Sequence, residues 1–339
     1  MGMSGYIAAC VRAHAMKRLL LSDDEWRKLL MSGSSEELVA KLVQRGLVSE
    51  AAGLDAVERE LRGECVAAAS SLIRFLSGAG YDTLRFFIYY YDLLNIETVI
   101  AHLHFGSEVG VTEMLYDTGR LGLIKHDTLA AVSSFPALGS CLKGSVLYDA
   151  YKQGLESYER DGDISVFTAE LELAFLKGWS LAERRCRRMG GQGKSVFSVY
   201  LKTRAADAML RLRFRRESAE HAVERWNGLV PGGLLGKDLR DWNALDSEKD
   251  AFKYLALRVF GRHHDVGVGA DSSADETLLL RGMLNETHRA LRRGDFSIDY
   301  LLGFLFRLML QAEDLVRLLE CCDFGLDSDM VAGYLIGEV

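Results

Sequence analysis

Leu301, Leu305, Leu308, Ala312, Leu315 and Leu319 follow one another at steps of four, three, four, three and four. Such spacing holds an apolar stripe on one side of a helix, and Arg307, Glu313, Arg317 and Glu320 fall off it. Leu171, Phe175 and Ala182 fit the same reading, with Glu172, Lys177, Glu183 and Arg184 at polar positions. Ser34-Ser35-Glu36-Glu37-Leu38 has the form of a capped helix start. No long run alternates with period two, so the pattern predicts helices and no sheet. Breaks are predicted at Gly106–Gly110, at Gly190–Gly193, at Pro231-Gly232-Gly233 and at Gly261–Asp275, the last as a polar, mobile surface loop.

Two short motifs recur in the same order. An opening motif, two apolar residues followed by Asp, occurs as Leu20-Leu21 with Asp24, Leu123-Ile124 with Asp127, and Leu234-Leu235 with Asp238. A closing motif centres on Asn95 (YDLLNI), Asp207 (RAADA) and Asp314 (QAEDL), at separations of 112 and 107 residues. Together they divide the chain into three helical units of similar length, 1–111, 112–222 and 223–339.

Composition sharpens this reading. At 339 residues the chain exceeds what one undivided core of about 250–300 residues normally holds. It has 2 prolines, where average usage gives about 17. Few prolines favour long helices over sandwiches and loop-rich modules. Hydrophobic residues at 49% and charged residues at 26% exclude wholesale disorder. A net charge of −7 makes the whole chain a poor polyanion binder, which argues against nucleic acid and acidic membrane surfaces as partners. The 6 cysteines are scattered without a CxxC, which fits buried thiols in a reducing compartment. The most apolar run, Tyr300 to Leu310, contains Arg307 and is too short for a membrane span of about 20 residues. The beginning of the chain lacks the basic and apolar regions of a signal peptide, so a cytosolic location is expected.

Motifs with chemical potential are few. Gly190-Gly191-Gln192-Gly193-Lys194-Ser195 ends like a phosphate-binding loop, but Arg188 stands where GxxxxGK[ST] needs Gly, and helix rather than strand precedes it. His102 and His104 diverge on a helix, and His263-His264-Asp265 lies in the predicted loop, so neither offers converging zinc ligands. Asp23-Asp24-Glu25-Trp26-Arg27 resembles an aspartate-rich Mg²⁺ motif, but Arg27 occupies the position of the last carboxylate. No catalytic set, cofactor site or metal site is assigned. One helix is unusually basic: Arg204, Arg211 and Arg215 share a face and are the candidate contacts for acidic groups on a partner. The plainer reading is a solvated face paired with Glu217 and Glu220.

Across most of its length the chain resembles the C subunits of the archaeal and bacterial A/V-type rotary ATPases, relatives of the d subunit of the eukaryotic vacuolar ATPase. The resemblance is carried by Tyr6-Ile7-Ala8-Ala9-Cys10-Val11-Arg12-Ala13, by SSEELVAKL, by YDLLNIETVI, by Thr168–Trp179 and by IDYLLGFLFRLMLQAEDLVRLLE. Asn95 keeps the family's residue in the closing motif, while Asp207 and Asp314 depart from it. The resemblance implies an all-α funnel with a central concavity and pseudo-threefold symmetry. It also implies a non-catalytic central rotor linker, peripheral to the membrane on its cytoplasmic face. Its expected partners are the D and F subunits of the central shaft and the proteolipid ring. A cytosolic helical-repeat scaffold for soluble partners is the alternative.

Overall fold

The helices begin where the sequence supplies caps. Ser22 accepts a hydrogen bond from the Glu25 backbone N–H, and the Glu25 carboxylate receives the Ser22 N–H at 2.8 Å, a reciprocal capping box. Ser34 caps its helix through the Glu37 N–H at 3.2 Å, as SSEEL predicts. Ser297 does the same for the last long helix through the Tyr300 N–H.

The structure is a computed structural model that describes residues 3–49, 53–106, 110–187, 196–215, 241–242, 244–247, 250–251, 253–254, 272–326, 331 and 335–337. Its helices are α1 (Met3–Met16), α2 (Asp23–Leu30), α3 (Ser35–Arg45), α4 (Leu54–Ile73), α5 (Gly78–Phe105) and α6 (His126–Ala130). There follow α7 (Phe135–Leu142), α8 (Tyr148–Asp161), α9 (Ile164–Arg187), α10 (Val196–Arg215), α11 (Ser272–Arg293) and α12 (Ile298–Asp323). No strand occurs among the described residues, so the all-α prediction holds. The predicted loop Gly261–Asp275 needs correction at its end, because Ser272 to Asp275 form the first turn of α11. Serine and aspartate favour helix starts as readily as loops, which is why the composition misled. The breaks at Gly190–Gly193 and Pro231–Gly233, and the rest of the Gly261–Asp275 segment, lie outside the described residues.

By contact the chain divides into two compact bodies, one of residues 1–84 with 267–339 and one of residues 85–266. In the first, α12 is the central element and packs against α11, α4, α1 and α3. Its predicted stripe is buried throughout, and Phe304, Phe306 and Met309 are buried on its other sides. Arg307, Glu313 and Arg317 are half-buried and Glu320 is exposed.

In the second body α9 packs between α8 and α10. Trp179 of α9 is fully buried, with ring centroids 4.9 Å from Phe197, 5.1 Å from Tyr200 and 5.5 Å from Phe175. Aromatic pairs at these distances add to the stabilisation from area burial. The α8–α9 contact is close because Gly154 has no side chain. A Cβ there would come within 2.3 Å of the Phe167 ring.

Candidate functional site

Buried polar side chains on α5 and α12 hold backbone from outside their own helices. On α5, the Asp92 carboxylate accepts a hydrogen bond from the Thr118 hydroxyl at 2.6 Å and another from the Leu123 backbone N–H. One turn on, the Asn95 amide pairs with both backbone groups of Tyr116, donating to its carbonyl at 2.8 Å and accepting its N–H at 2.7 Å. Gly122 makes room for this arrangement, since a Cβ there would lie 2.3 Å from the Thr118 hydroxyl and 3.0 Å from the Asp92 carboxylate. Burial pushes the Asp92 carboxyl up to about 6, against the lowering effect of its hydrogen bonds and of Arg85.

The second set sits on α12 at the same three-residue spacing. Gln311 accepts the Leu21 backbone N–H at 2.6 Å and donates to the Leu19 carbonyl at 2.9 Å. The two oxygens of Asp314 take the N–H groups of Ile336 at 2.6 Å and Gly337 at 3.0 Å. Burial raises the pKa of Asp314. All four latch residues are buried. Each therefore satisfies backbone groups that would otherwise be costly to desolvate. The sequence singled out Asn95 and Asp314 as repeat markers. It held no signal for what they bind, because their partners are backbone groups 21 and 22 residues downstream.

The closing motif of the second unit is on α10, where Arg204 and Asp207 occupy the corresponding positions. Arg204 is turned inward: it binds the Glu172 carboxylate of α9 through Nε at 2.8 Å and Nη2 at 2.7 Å. The Glu172 side chain is only 3% exposed, and that of Arg204 is 24% exposed. Arg204 therefore ties two neighbouring helices together through a charge-assisted pair, with two guanidinium nitrogens on the one Oε1 of Glu172. Arg211 and Arg215 also lie on α10, but their side chains and that of Asp207 fall outside the described residues, as do Glu217 and Glu220.

Other motifs resolve simply. His104 contacts the Tyr158 hydroxyl at 2.7 Å through Nδ1. None of the six cysteines forms a disulfide among the described residues, and burial raises the pKa of Cys321 and Cys322. Among the described residues no group of three His, Cys, Asp or Glu side chains is placed to hold a metal ion. No described helix is long and apolar enough to cross a membrane. Lys194 and His263-His264-Asp265 lie outside the described residues.

Comparison with known proteins gives a consistent result. A model of the ATP synthase (C/AC39) subunit family matches residues 9–334. The C subunit of the A-type ATP synthase of Halobacterium salinarum is 24% identical over 172 residues, covering 48% of this chain and 48% of the relative. The protein of the same description from Haloferax volcanii is 25% identical over 179 residues, 50% of each chain. That from Methanosarcina acetivorans is 24% identical over 247 residues, 69% of this chain and 65% of the relative. The chain thus spans about half the length of the first two of these relatives.

Proposed function

The chain belongs to the ATP synthase (C/AC39) subunit family, and on that premise we propose that it is the non-catalytic central rotor linker of a V/A-type rotary ATPase. It would join the central shaft, built from the D and F subunits, to the membrane ring of proteolipid subunits and pass torque between them. In that role it is peripheral to the membrane on the cytoplasmic face and carries no cofactor. The observation that carries the reading is the match of the family model across residues 9–334.

The proposed architecture is three units, 1–111, 112–222 and 223–339, related by a pseudo-threefold axis. The latches support it. Asp92, in the closing helix of the first unit, holds Leu123 at the opening of the second. Gln311, in the closing helix of the third, holds Leu21 at the opening of the first. A closing helix that grips the opening of the next unit, with the third returning to the first, is the relation expected of a cyclic repeat. The corresponding opening of the third unit, Leu234-Leu235, lies outside the described residues. Arg211 and Arg215 are the proposed contacts for acidic groups on a rotor partner. Arg204 can join them only through the part of its side chain that its Glu172 pair leaves exposed.

Co-purification tests the function. Tagged chain co-expressed with the shaft and ring proteins is expected to carry both through affinity and gel-filtration steps. Recovery with soluble proteins alone would replace the linker with the scaffold reading.

A further inference from the structure

The first body contains a cavity of about 280 Å³ walled by α2, α11, α12 and residues 336–337. Its ionisable lining consists of Arg27, Arg281, Arg307 and His288, with Asp23 and Asp314 among them. Three guanidiniums face two carboxylates, so the acids offset the set only in part. Both oxygens of Asp314 are occupied by the N–H groups of Ile336 and Gly337. Asp23 lies exposed in the first turn of α2.

The cations differ in what holds them. Arg27 forms a 2.8 Å pair with Asp24, and Arg281 donates to the Leu335 carbonyl at 2.8 and 3.2 Å. Arg307 Nη1 is buried and has no hydrogen-bond partner. A guanidinium cannot shed its charge to escape burial, so an unmatched donor of this kind is a standing cost. Burial first, and then the nearby Arg307 and Arg292 cations, hold His288 below its usual range, against the raising effect of Asp23.

Size narrows the class of ligand. At about 280 Å³ the cavity is close to the lower end of small-molecule pockets, about 300–1,000 Å³, and suits a compact ligand. Compact oxyanions match a guanidinium with paired acceptors. We propose that this cavity binds a compact oxyanion, inorganic phosphate or a short dicarboxylate, with Arg307 as the principal donor and Asn285 and Arg27 at the mouth.

The test is titration calorimetry and thermal unfolding of the full chain with sodium phosphate and, separately, with succinate. Sodium chloride at matched ionic strength is the reference. A saturable heat and a rise in Tm with one of the two anions, beyond the chloride effect, is the expected result, and the responding arm identifies the class. Arg307→Met should weaken binding by roughly tenfold or more, as removal of a charge-assisted bond implies. Should Arg307→Met fail to fold, Asn285→Asp serves instead: this exposed position tolerates change, and its new carboxylate competes with the ligand. The proposal is overturned if neither anion produces a saturable response in the wild-type chain, or if Asn285→Asp binds as well as wild type.

Discussion

At Asp92 burial opposes a set of favourable contacts. Burial outweighs the Thr118 and Leu123 hydrogen bonds and the Arg85 charge, leaving the pKa at about 6 against an ordinary 3.8. The folded state therefore holds a proton more tightly than the unfolded chain between those values. Asp92 contributes extra stability below about pH 4 and loses it as the pH rises through 6. At about 1.4 kcal/mol per unit, the full swing is on the order of 3 kcal/mol. Asp92→Asn keeps a carbonyl acceptor for Leu123, so it should fold and show a smaller gain in stability from pH 7 to pH 5 than wild type. Asp92→Leu strands the Leu123 N–H and the Thr118 hydroxyl and should lose about 2–4 kcal/mol at either pH, an orphaned buried group costing about 1–3 kcal/mol. Urea unfolding of the three proteins at both pH values decides between these outcomes. Arg204 follows a related logic. Arg204→Ala leaves the Glu172 carboxylate buried without this cation, and breaking such a pair costs about 3–5 kcal/mol when wholly buried. With Arg204 partly exposed, about 2–3 kcal/mol is expected. Replacing both residues with methionine should recover much of the loss in thermal unfolding. The sequence placed Arg204 on a basic helical face. It could not place Glu172 beside it, because a partner 32 residues earlier on a different helix leaves no local spacing to read.

Elements were legible where their cause is local. Ser34 and Glu37 lie three residues apart, and the structure joins them as a helix cap. The α12 stripe was legible too, but it understated the helix. Phe304 and Phe306 are buried off the stripe because α12 is surrounded by four other helices, and periodicity alone cannot count neighbours. Close helix approach was also hidden, since Gly154 looks like any helical glycine until Phe167 is seen against it. A Cβ at Gly154 would meet that ring at 2.3 Å, and the ring is fully buried beside Tyr151, Tyr158 and Phe135. Gly154→Ala should therefore destabilise by about 1–3 kcal/mol despite the better helix propensity of alanine. Adding Phe167→Leu should return part of that loss, because the smaller side chain relieves the overlap. The check is the urea midpoint of each single variant and of the pair.

At the scale of the whole molecule the proposed role demands stiffness rather than chemistry. A linker between a shaft and a ring must return an applied twist without yielding, and close-packed helical interiors deform little. Buried latches serve the same end, since Asp92, Asn95, Gln311 and Asp314 each fix backbone outside their own helix to a long helix. Load spread over broad interfaces makes single rim charges expendable. Arg211→Ala alone should therefore change coupling little, while Arg204→Ala should act through the fold. Removing the chain altogether is a different matter. In a reconstituted rotary complex, ATP hydrolysis by the soluble head should persist without it and ion pumping should be lost, because shaft and ring would turn independently. Restoring the chain should restore pumping in step with hydrolysis. The measurement is simultaneous ATPase rate and ion gradient in sealed vesicles, with and without the chain. Pumping that stays coupled to hydrolysis in its absence would show that torque travels by another path.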